Sequence, residues 1–192
     1  MPIDYANNEL TAIRRNDREV TDDAWIRALL HRAPVGYLAT VHGDQPFINS
    51  NLFVYDEDAH VIFMHTARKG RTQANISENG TEPPAERPKV CFTVSEMGRL
   101  LPADVALEFS VEYKGVAVFG RGEVIADPNE AGAALQKLLN KYAPHLKPER
   151  DYRPVTAEEL KRTAVFRITI EEWSGKKKEV DPEFPGAFYY GT

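Results

Sequence analysis

Apolar residues follow a helical spacing in a few segments of the chain and alternate with polar residues in most of the rest. Residues 21–34, TDDAWIRALLHRAP, place their apolar side chains on one helical face, with Thr21 as candidate N-cap and Pro34 as stop. Residues 127–144, DPNEAGAALQKLLNKYAP, form the clearest helical pattern, with Asp127 as cap and an apolar stripe behind it. Shorter helices are predicted in KGRTQANISEN and TAEELKRT.

The alternating segments predict strands. Residues 35–67 fit three strands joined by the turn sequences HGDQP and DEDA, and KVCFTVSEM fits another. An irregular excursion, GRLLPADVAL, precedes EFSVEYKGVAVFGRGEVIAD, a long β-rich stretch whose interior glycines suggest bends or bulges. AVFRITIEEWSGKKKEV predicts the last strand. Hairpins first, bent strands next and helices as insertions indicate a mainly β fold, a small and mostly antiparallel barrel.

The length of 192 residues suits one well-cored domain. We predict a polar N-terminal arm over residues 1–20, a barrel domain over 21–180 and a C-terminal tail over 181–192 that needs another surface to lie on. The segment GTEPPAERP, with three prolines, is predicted to be a loop.

Charge and composition narrow the range of partners. The net charge is −5 and the pI about 5.6, which argues against nucleic acid as a partner. The first residues lack the apolar core of a signal peptide, and no run approaches the ~20 apolar residues of a membrane span. The single cysteine, Cys91, excludes an intramolecular disulfide. These features predict a cytoplasmic protein without membrane association.

Common catalytic motifs are missing from the sequence. It contains no dinucleotide fingerprint, no Walker loop, no G-x-S-x-G and no H-E-x-x-H. The five histidines have no helical ligand spacing and a lone cysteine cannot form a thiolate cluster, so no metal site is predicted.

A group of basic residues is the strongest chemical feature. In HVIFMHTARKGRTQANISEN, residues 60–79, a predicted strand ends at His65 and Thr66, and Arg68, Lys69 and Arg71 follow where a helix begins. Backbone N–H groups, a helix N-terminus, a hydroxyl and several cations together are what a phosphate group needs. Spacing alone equally allows basic residues that flank a solvated loop.

Three segments resemble a known family. VGYLATVHGDQPFINSNLFVYDEDAHVIFMHTARKGRTQANI, then EYKGVAVFGRGEVI, then VFRITIEEWSGKKKE are similar, in this order, to the FMN-binding split-barrel family, the pyridoxamine 5'-phosphate oxidase-like superfamily. HTARKGRTQANI, SEMGRLLPADVALEFSVEYKGVAVFGRG and LKRTAVFRITIEEWSGK most resemble its Nim branch, the 5-nitroimidazole reductases. The resemblance implies a six-stranded antiparallel split β-barrel that forms a homodimer with FMN in clefts at the subunit interface.

The resemblance also implies which residues contact the cofactor. Thr66, Lys69 and Arg71 would hold the FMN phosphate, with Arg68 as a weaker candidate. The strand FINSNLFVY would run beside the isoalloxazine, with Asn49, Ser50 and Asn51 offering contacts to its pyrimidine edge. Alternation along the strand also allows Asn49 and Asn51 to be its outward face.

Three further residues have two interpretations each. His65 is either a structural residue or the catalytic residue that the Nim branch places near the flavin ring, where a pKa near 6.5 would make it a usable acid. Tyr113 either stacks near the ring or lies in the core. Lys176 either reaches the cofactor from the last strand or belongs to a solvated terminus.

The implied function is that of an FMN-dependent oxidoreductase. It would take electrons from NAD(P)H or another donor and pass them to a small aromatic substrate, such as a nitroimidazole, the chemistry of nitroimidazole resistance. Pyridoxamine 5'-phosphate oxidase activity itself is disfavoured, because the tail DPEFPGAFYYGT lacks the arginine of those enzymes. The alternative is a non-catalytic split-barrel protein that binds a flavin, a deazaflavin or haem.

Overall fold

The structure, a computed structural model, describes residues 8–78 and 87–191. Its eight strands are Glu19–Val20 (β1), Gly36–His42 (β2), Gln45–Asn51 (β3), Phe53–Asp56 (β4), Val61–Ala67 (β5), Lys89–Leu101 (β6), Ser110–Val124 (β7) and Thr163–Lys178 (β8). They form one antiparallel, unclosed sheet in the order β3-β2-β6-β7-β8-β5-β4, and β1 pairs with β8. The expected mainly β, split-barrel fold class is confirmed, although the sheet has eight strands and the resemblance implied six.

The α-helices are Asp23–Arg32 (α1), Arg71–Glu78 (α2), Pro128–Tyr142 (α3) and Ala157–Leu160 (α4). The predicted start of α3 is confirmed, because the Asp127 carboxylate accepts hydrogen bonds from the backbone N–H groups of Asn129 and Glu130. The predicted cap of α1 is wrong by one residue. Asp22, not Thr21, accepts the N–H of Ala24, because its carboxylate is both a cap and a negative charge at the helix start.

Two strand predictions needed correction. Residues 35–67 contain four strands, because the predicted second strand is interrupted at Leu52, between β3 and β4. β6 runs on to Leu101 through residues expected to be irregular, and only Ala106–Glu108 forms a short 3-10 helix there. The glycine-containing stretch forms one continuous strand, β7. The predicted proline-rich loop over residues 80–88 lies almost wholly outside the described residues.

The described chain divides into two compact units, each assembled from several segments. The first, here unit 1, comprises residues 8–33, 93–117 and 173–191; the second, unit 2, comprises residues 34–78, 87–92 and 118–172. Unit 2 has a core in which β5 packs against α3. Its buried members are Val61, Phe63, Ile125, Ala131, Ala134 and Val165. Every second residue of β5 therefore faces α3, as the alternation of a strand requires.

Unit 1 contains most of the predicted N-terminal arm and the C-terminal tail. The arm holds a 3-10 helix, Asn16–Arg18, and β1. The tail returns to β6, where Leu100 and Phe188 exchange two backbone hydrogen bonds of 2.7 and 3.1 Å. The Arg99 guanidinium holds the start of the tail by donating hydrogen bonds to the carbonyls of Asp181 and Pro182 at 3.1 and 2.8 Å.

Candidate functional site

The loop between β5 and α2 carries the predicted phosphate-binding residues. β5 ends at Ala67, and α2 begins at Arg71, where the Gly70 carbonyl accepts the N–H of Ala74 at 3.0 Å. A cavity of about 410 Å³ opens beside this helix start. Its lining residues are His42, Gly70, Arg71, Ala74 and Asn75. A Cβ atom added at Gly70 would meet nothing within 4 Å, so the space beside the loop is open.

The four predicted phosphate-binding residues, which lie at the end of β5, in the loop and at the start of α2, have different surroundings. Arg68 is tied to its own unit, because its Nε donates to the Leu160 carbonyl at 3.1 Å. The Thr66 hydroxyl donates to the carbonyl of Ala67 at 2.9 Å. Lys69 and Arg71 are exposed and form no ion pair with any carboxylate among the residues that the structure describes. Lys69 and Arg71 are therefore the cations of the loop that remain available to an anion.

Polar contacts connect α2 to the β2–β3 hairpin. The Asn75 amide donates to the Thr40 hydroxyl at 2.8 Å, and both residues are buried. The Asn49 amide lies 3.4 Å from the hydroxyl of buried Thr72. The sequence does not identify Thr40, Thr72 and Asn75 as site residues. Each is a single polar residue within a predicted strand or helix, and nothing local shows that they meet. They fix the start of α2 against the hairpin.

The three predicted flavin-edge residues lie at the end of β3. Asn49, Ser50 and Asn51 pair with Leu38, Tyr37 and Gly36 of β2. Alternation puts Asn49 and Asn51 on one face and exposed Ser50 on the other.

Asn51 has the most informative environment of the three. Its Nδ2 atom is buried and has no hydrogen-bond acceptor among the described residues. A buried donor without a partner costs about 1–3 kcal/mol, so this atom fits a ligand acceptor such as a flavin ring oxygen or nitrogen.

His65 lies on the α3 side of β5, on the face that Val61 and Phe63 occupy further along the strand. It lines an apolar cavity of about 290 Å³, which we call the His65 recess. The other lining residues are Leu52, Leu135, Leu138, Leu139, Tyr142, Val155 and Thr163. Thr66, the next residue, points to the opposite face. His65 and Thr66, the latter predicted to hold a phosphate, thus face different sides of the strand.

The apolar walls change the chemistry of His65. Desolvation lowers the pKa of the imidazole below its ordinary value, because a low-dielectric surrounding disfavours the charged form. In its neutral form the ring has one nitrogen able to donate and the other able to accept or to coordinate a metal. This corrects the expectation of an unperturbed acid near pH 6.5.

Tyr113 and Lys176 belong to unit 1, whereas the residues described above belong to unit 2. The Lys176 ammonium is 5.7 Å from the centre of the Tyr113 ring. The Arg18 guanidinium is 6.0 Å from the same ring, and its Nη1 is 3.4 Å from the tyrosine hydroxyl. Tyr113 is half-buried, so it is not a fully buried core residue. Arg18 lies in the predicted N-terminal arm, and the sequence does not predict its contacts with Tyr113.

The sequence predicts neither a metal site nor a membrane span. Over residues 8–78 and 87–191, no group of three or more His, Cys, Asp or Glu side chains is placed to hold a metal ion. Within the same residues, no helix has both the length and the apolar character that crossing a bilayer would require.

An antiparallel split barrel with a basic strand-to-helix loop defines a class of cofactor-binding proteins, and comparison with known proteins identifies the family. The family model described as pyridoxamine 5'-phosphate oxidase matches residues 22–177, so the chain belongs to that flavin-binding family. A search of curated proteins finds no match.

Solved structures share the fold. Flavocytochrome Anf3 from Azotobacter vinelandii aligns at a TM-score of 0.75 with 23% identity, over 96% of this chain and 86% of that one. An FAD and haem binding protein from Mycobacterium smegmatis aligns at a TM-score of 0.72 with 22% identity, over 86% of this chain and 76% of that one. A protein from Bacteroides thetaiotaomicron, described as a candidate 5-nitroimidazole antibiotic resistance protein, aligns at a TM-score of 0.65 with 16% identity, over 84% of this chain and 90% of that one. At these identities the likeness shows the fold.

Proposed function

We propose that this protein is an FMN-dependent oxidoreductase. The observation that carries the proposal is the pair Lys69 and Arg71, two cations without a carboxylate partner among the described residues, at the start of α2 beside an open cavity. Phosphate groups bind at such positions, because cations and the N–H groups of a helix start act together. The buried Nδ2 of Asn51 supports the same cofactor, since a flavin ring offers acceptors along its pyrimidine edge.

The cofactor would supply the redox chemistry by accepting and donating a hydride, and the protein would supply binding and orientation. Lys69 and Arg71 would neutralise the phosphate, and the Asn51 amide would donate to the ring. The His65 imidazole would hold a hydrogen bond at the edge of the His65 recess, whose lining includes four leucines. A small aromatic compound, nitroimidazoles included, suits this apolar recess, with NAD(P)H or another donor as the source of electrons.

The binding part of the proposal is tested by titrating FMN into the protein and into Lys69→Ala/Arg71→Ala. Each charge-assisted contact is worth about 1.5–3 kcal/mol, so the double variant should bind FMN about two to four orders of magnitude more weakly. Arg150→Ala/Lys161→Ala is a matched control. It removes two exposed cations of unit 2 that are already paired with Asp151 and Glu158. Equal affinity of both double variants would contradict the assignment.

The catalytic part is tested without oxygen. NADPH should reduce bound FMN, and a nitroimidazole should reoxidise it. His65→Ala should slow reoxidation at least tenfold while FMN affinity stays within about twofold of wild type. An unchanged rate would remove His65 from the reaction, and flavin that NADPH does not reduce would leave a carrier or a different donor.

Haem binding is a second candidate, favoured by one observation. Histidine is a common axial ligand of haem iron, and His65 lines the apolar His65 recess. Added haem should then give a sharp Soret band that is absent in His65→Ala and retained in Lys69→Ala/Arg71→Ala. If wild type and His65→Ala give identical spectra, His65 is not a haem ligand.

We also propose that the protein forms a homodimer with its cofactor clefts at the interface. The supporting observation is an exposed apolar face on the β2–β3 hairpin, where Tyr37, Val41 and Ile48 are 41%, 46% and 66% exposed. Val41 and Ile48 lie on the same side as Tyr37, since the register pairs Ala39 with Ile48. β3 is an edge strand, and an exposed apolar edge favours association with a second copy.

A further inference from the structure

A cavity rich in cations lies in unit 1, and none of its lining residues is assigned to the flavin phosphate. Its volume is about 480 Å³. Its lining residues are Arg15, Asp17, Arg18, Lys177, Lys178 and Glu179. Four cations therefore face two carboxylates in a chain whose net charge is −5. Like charges gathered in this way repel one another unless nearby carboxylates neutralise them.

Both carboxylates of the cavity already form ion pairs with two of its cations, Arg15 and Lys177. Arg15 grips Asp17 with two hydrogen bonds of 2.7 and 2.5 Å, and this contact holds the pKa of Asp17 at about 2. Glu179 accepts from Lys177 at 3.1 Å and from Lys114 at 2.9 Å. These ion pairs leave little negative charge for the remaining cations.

Arg18 and Lys178 are the cations left without a carboxylate of their own among the described residues. Arg18 Nε is 3.8 Å from the Asp17 oxygen that already binds Arg15, and its other contact is the Tyr113 hydroxyl. Lys178 Nζ donates to the neutral Ser110 hydroxyl at 2.5 Å. The Arg18 side chain is only 22% exposed, so water screens its charge less than that of a surface arginine.

We propose that this cavity binds the diphosphate group of a nucleotide. A diphosphate presents several charged oxygens at once, and an arginine fork with a neighbouring lysine matches that arrangement. The Tyr113 ring beside Arg18 supplies an aromatic face near the anion, which suits a ligand with a base or ring attached to its phosphates. Its residues belong to unit 1, whereas Lys69 and Arg71 belong to unit 2, and the proposal does not depend on the proposed flavin function.

Calorimetric titration of inorganic pyrophosphate, and separately of ADP-ribose, into the full chain at low salt tests the proposal. Wild type should bind one equivalent of each, with affinity falling as salt rises. Arg18→Ala and Lys178→Ala should each weaken binding about tenfold or more, and Arg18→Lys should lose less than Arg18→Ala. Lys161→Ala, which removes an exposed and paired lysine of unit 2, should change nothing.

Two further results decide against the proposal. If pyrophosphate binding survives Arg18→Ala/Lys178→Ala but disappears in Lys69→Ala/Arg71→Ala, the anion binds at the other loop and the unit 1 site is refuted. If pyrophosphate binds but ADP-ribose neither binds nor competes with it, the ligand is not a nucleotide. Thermal melting of each variant separates lost binding from lost folding, and the conservative Arg18→Lys provides the second measurement if Arg18→Ala fails to fold.

Discussion

The ion pair of Arg99 and Glu112 should hold the C-terminal tail on β6. Glu112 accepts two hydrogen bonds from the Arg99 guanidinium at 2.9 and 2.8 Å, and its Oε1 also accepts the N–H of Val180 at 3.1 Å. The same guanidinium donates to carbonyls at Asp181 and Pro182. Loss of Glu112 would leave an unpaired arginine and release Val180, so two contacts to the tail weaken together.

The cost follows from burial. The two side chains are 16% and 14% exposed, so the pair lies between an exposed pair, worth about 0–1 kcal/mol, and a buried pair, whose breakage costs about 3–5 kcal/mol. We expect Glu112→Ala to lower the free energy of unfolding by about 2–3 kcal/mol. For a chain of this length that corresponds to a fall in Tm of roughly 4–12 °C.

The assay is a double-mutant cycle with Arg99→Ala, read by thermal melting and by amide exchange of residues 180–188. The double variant should cost little more than either single one, and exchange should rise in the tail in all three. Lys161→Ala, which breaks an exposed pair with Glu158, is the control and should stay within about 0.5 kcal/mol of wild type. Additive single effects, or an unchanged tail, would refute the reasoning.

The pair also sets an acid limit on stability. Hydrogen bonds from Arg99 lower the pKa of Glu112 from 4.5 to about 2. The unfolded chain binds this proton more readily than the folded one, so the stabilisation is complete above pH 4.5 and is lost as the pH falls towards 2. Glu112→Ala should therefore show a shallower loss of stability over that range than wild type.

Three further predictions follow from other parts of the chain. Gly120→Ala should destabilise unit 2 by more than 1 kcal/mol in chemical denaturation, because its Cβ would lie 2.0 Å from the Thr169 carbonyl oxygen; a wild-type midpoint would show that the strands separate easily. Ile48→Lys should reduce the dimer fraction in light scattering while Lys161→Ala does not, and equal masses for the two variants would place the interface elsewhere. Desolvation lowers the pKa of Lys141 from 10.5 to about 8, so between these two pH values the folded protein releases the proton more readily than the unfolded chain and wild-type stability should rise with pH. Lys141→Met should abolish that rise. Parallel pH profiles of stability for wild type and variant would contradict the prediction.

The sequence predicted the elements whose signals are local. The cap and proline of α3 and the short α2 after a basic loop were recognisable because each depends on a few neighbouring residues. The break at Leu52 and the full length of β6 were not, because pairing with other strands decides where a strand ends. The cap of α1 shifted to Asp22 because two adjacent residues could both serve.

The candidate site divides in the same way. The residue pattern located the basic loop, and the resemblance ranked Arg68 below Lys69 and Arg71. Neither could give the physical reason, which is that the Leu160 carbonyl holds Arg68. Neither could reveal that apolar walls lower the pKa of His65. Such distinctions depend on neighbours remote in sequence, which single-chain patterns do not encode.

The most direct test of the central claim compares FMN with riboflavin, which lacks the phosphate. If Lys69 and Arg71 bind the phosphate, wild type should bind FMN at least about a hundredfold more tightly than riboflavin, and Lys69→Ala/Arg71→Ala should bind the two with nearly equal affinity. Equal affinities in wild type, or a preference for FMN that survives in the double variant, would contradict the account.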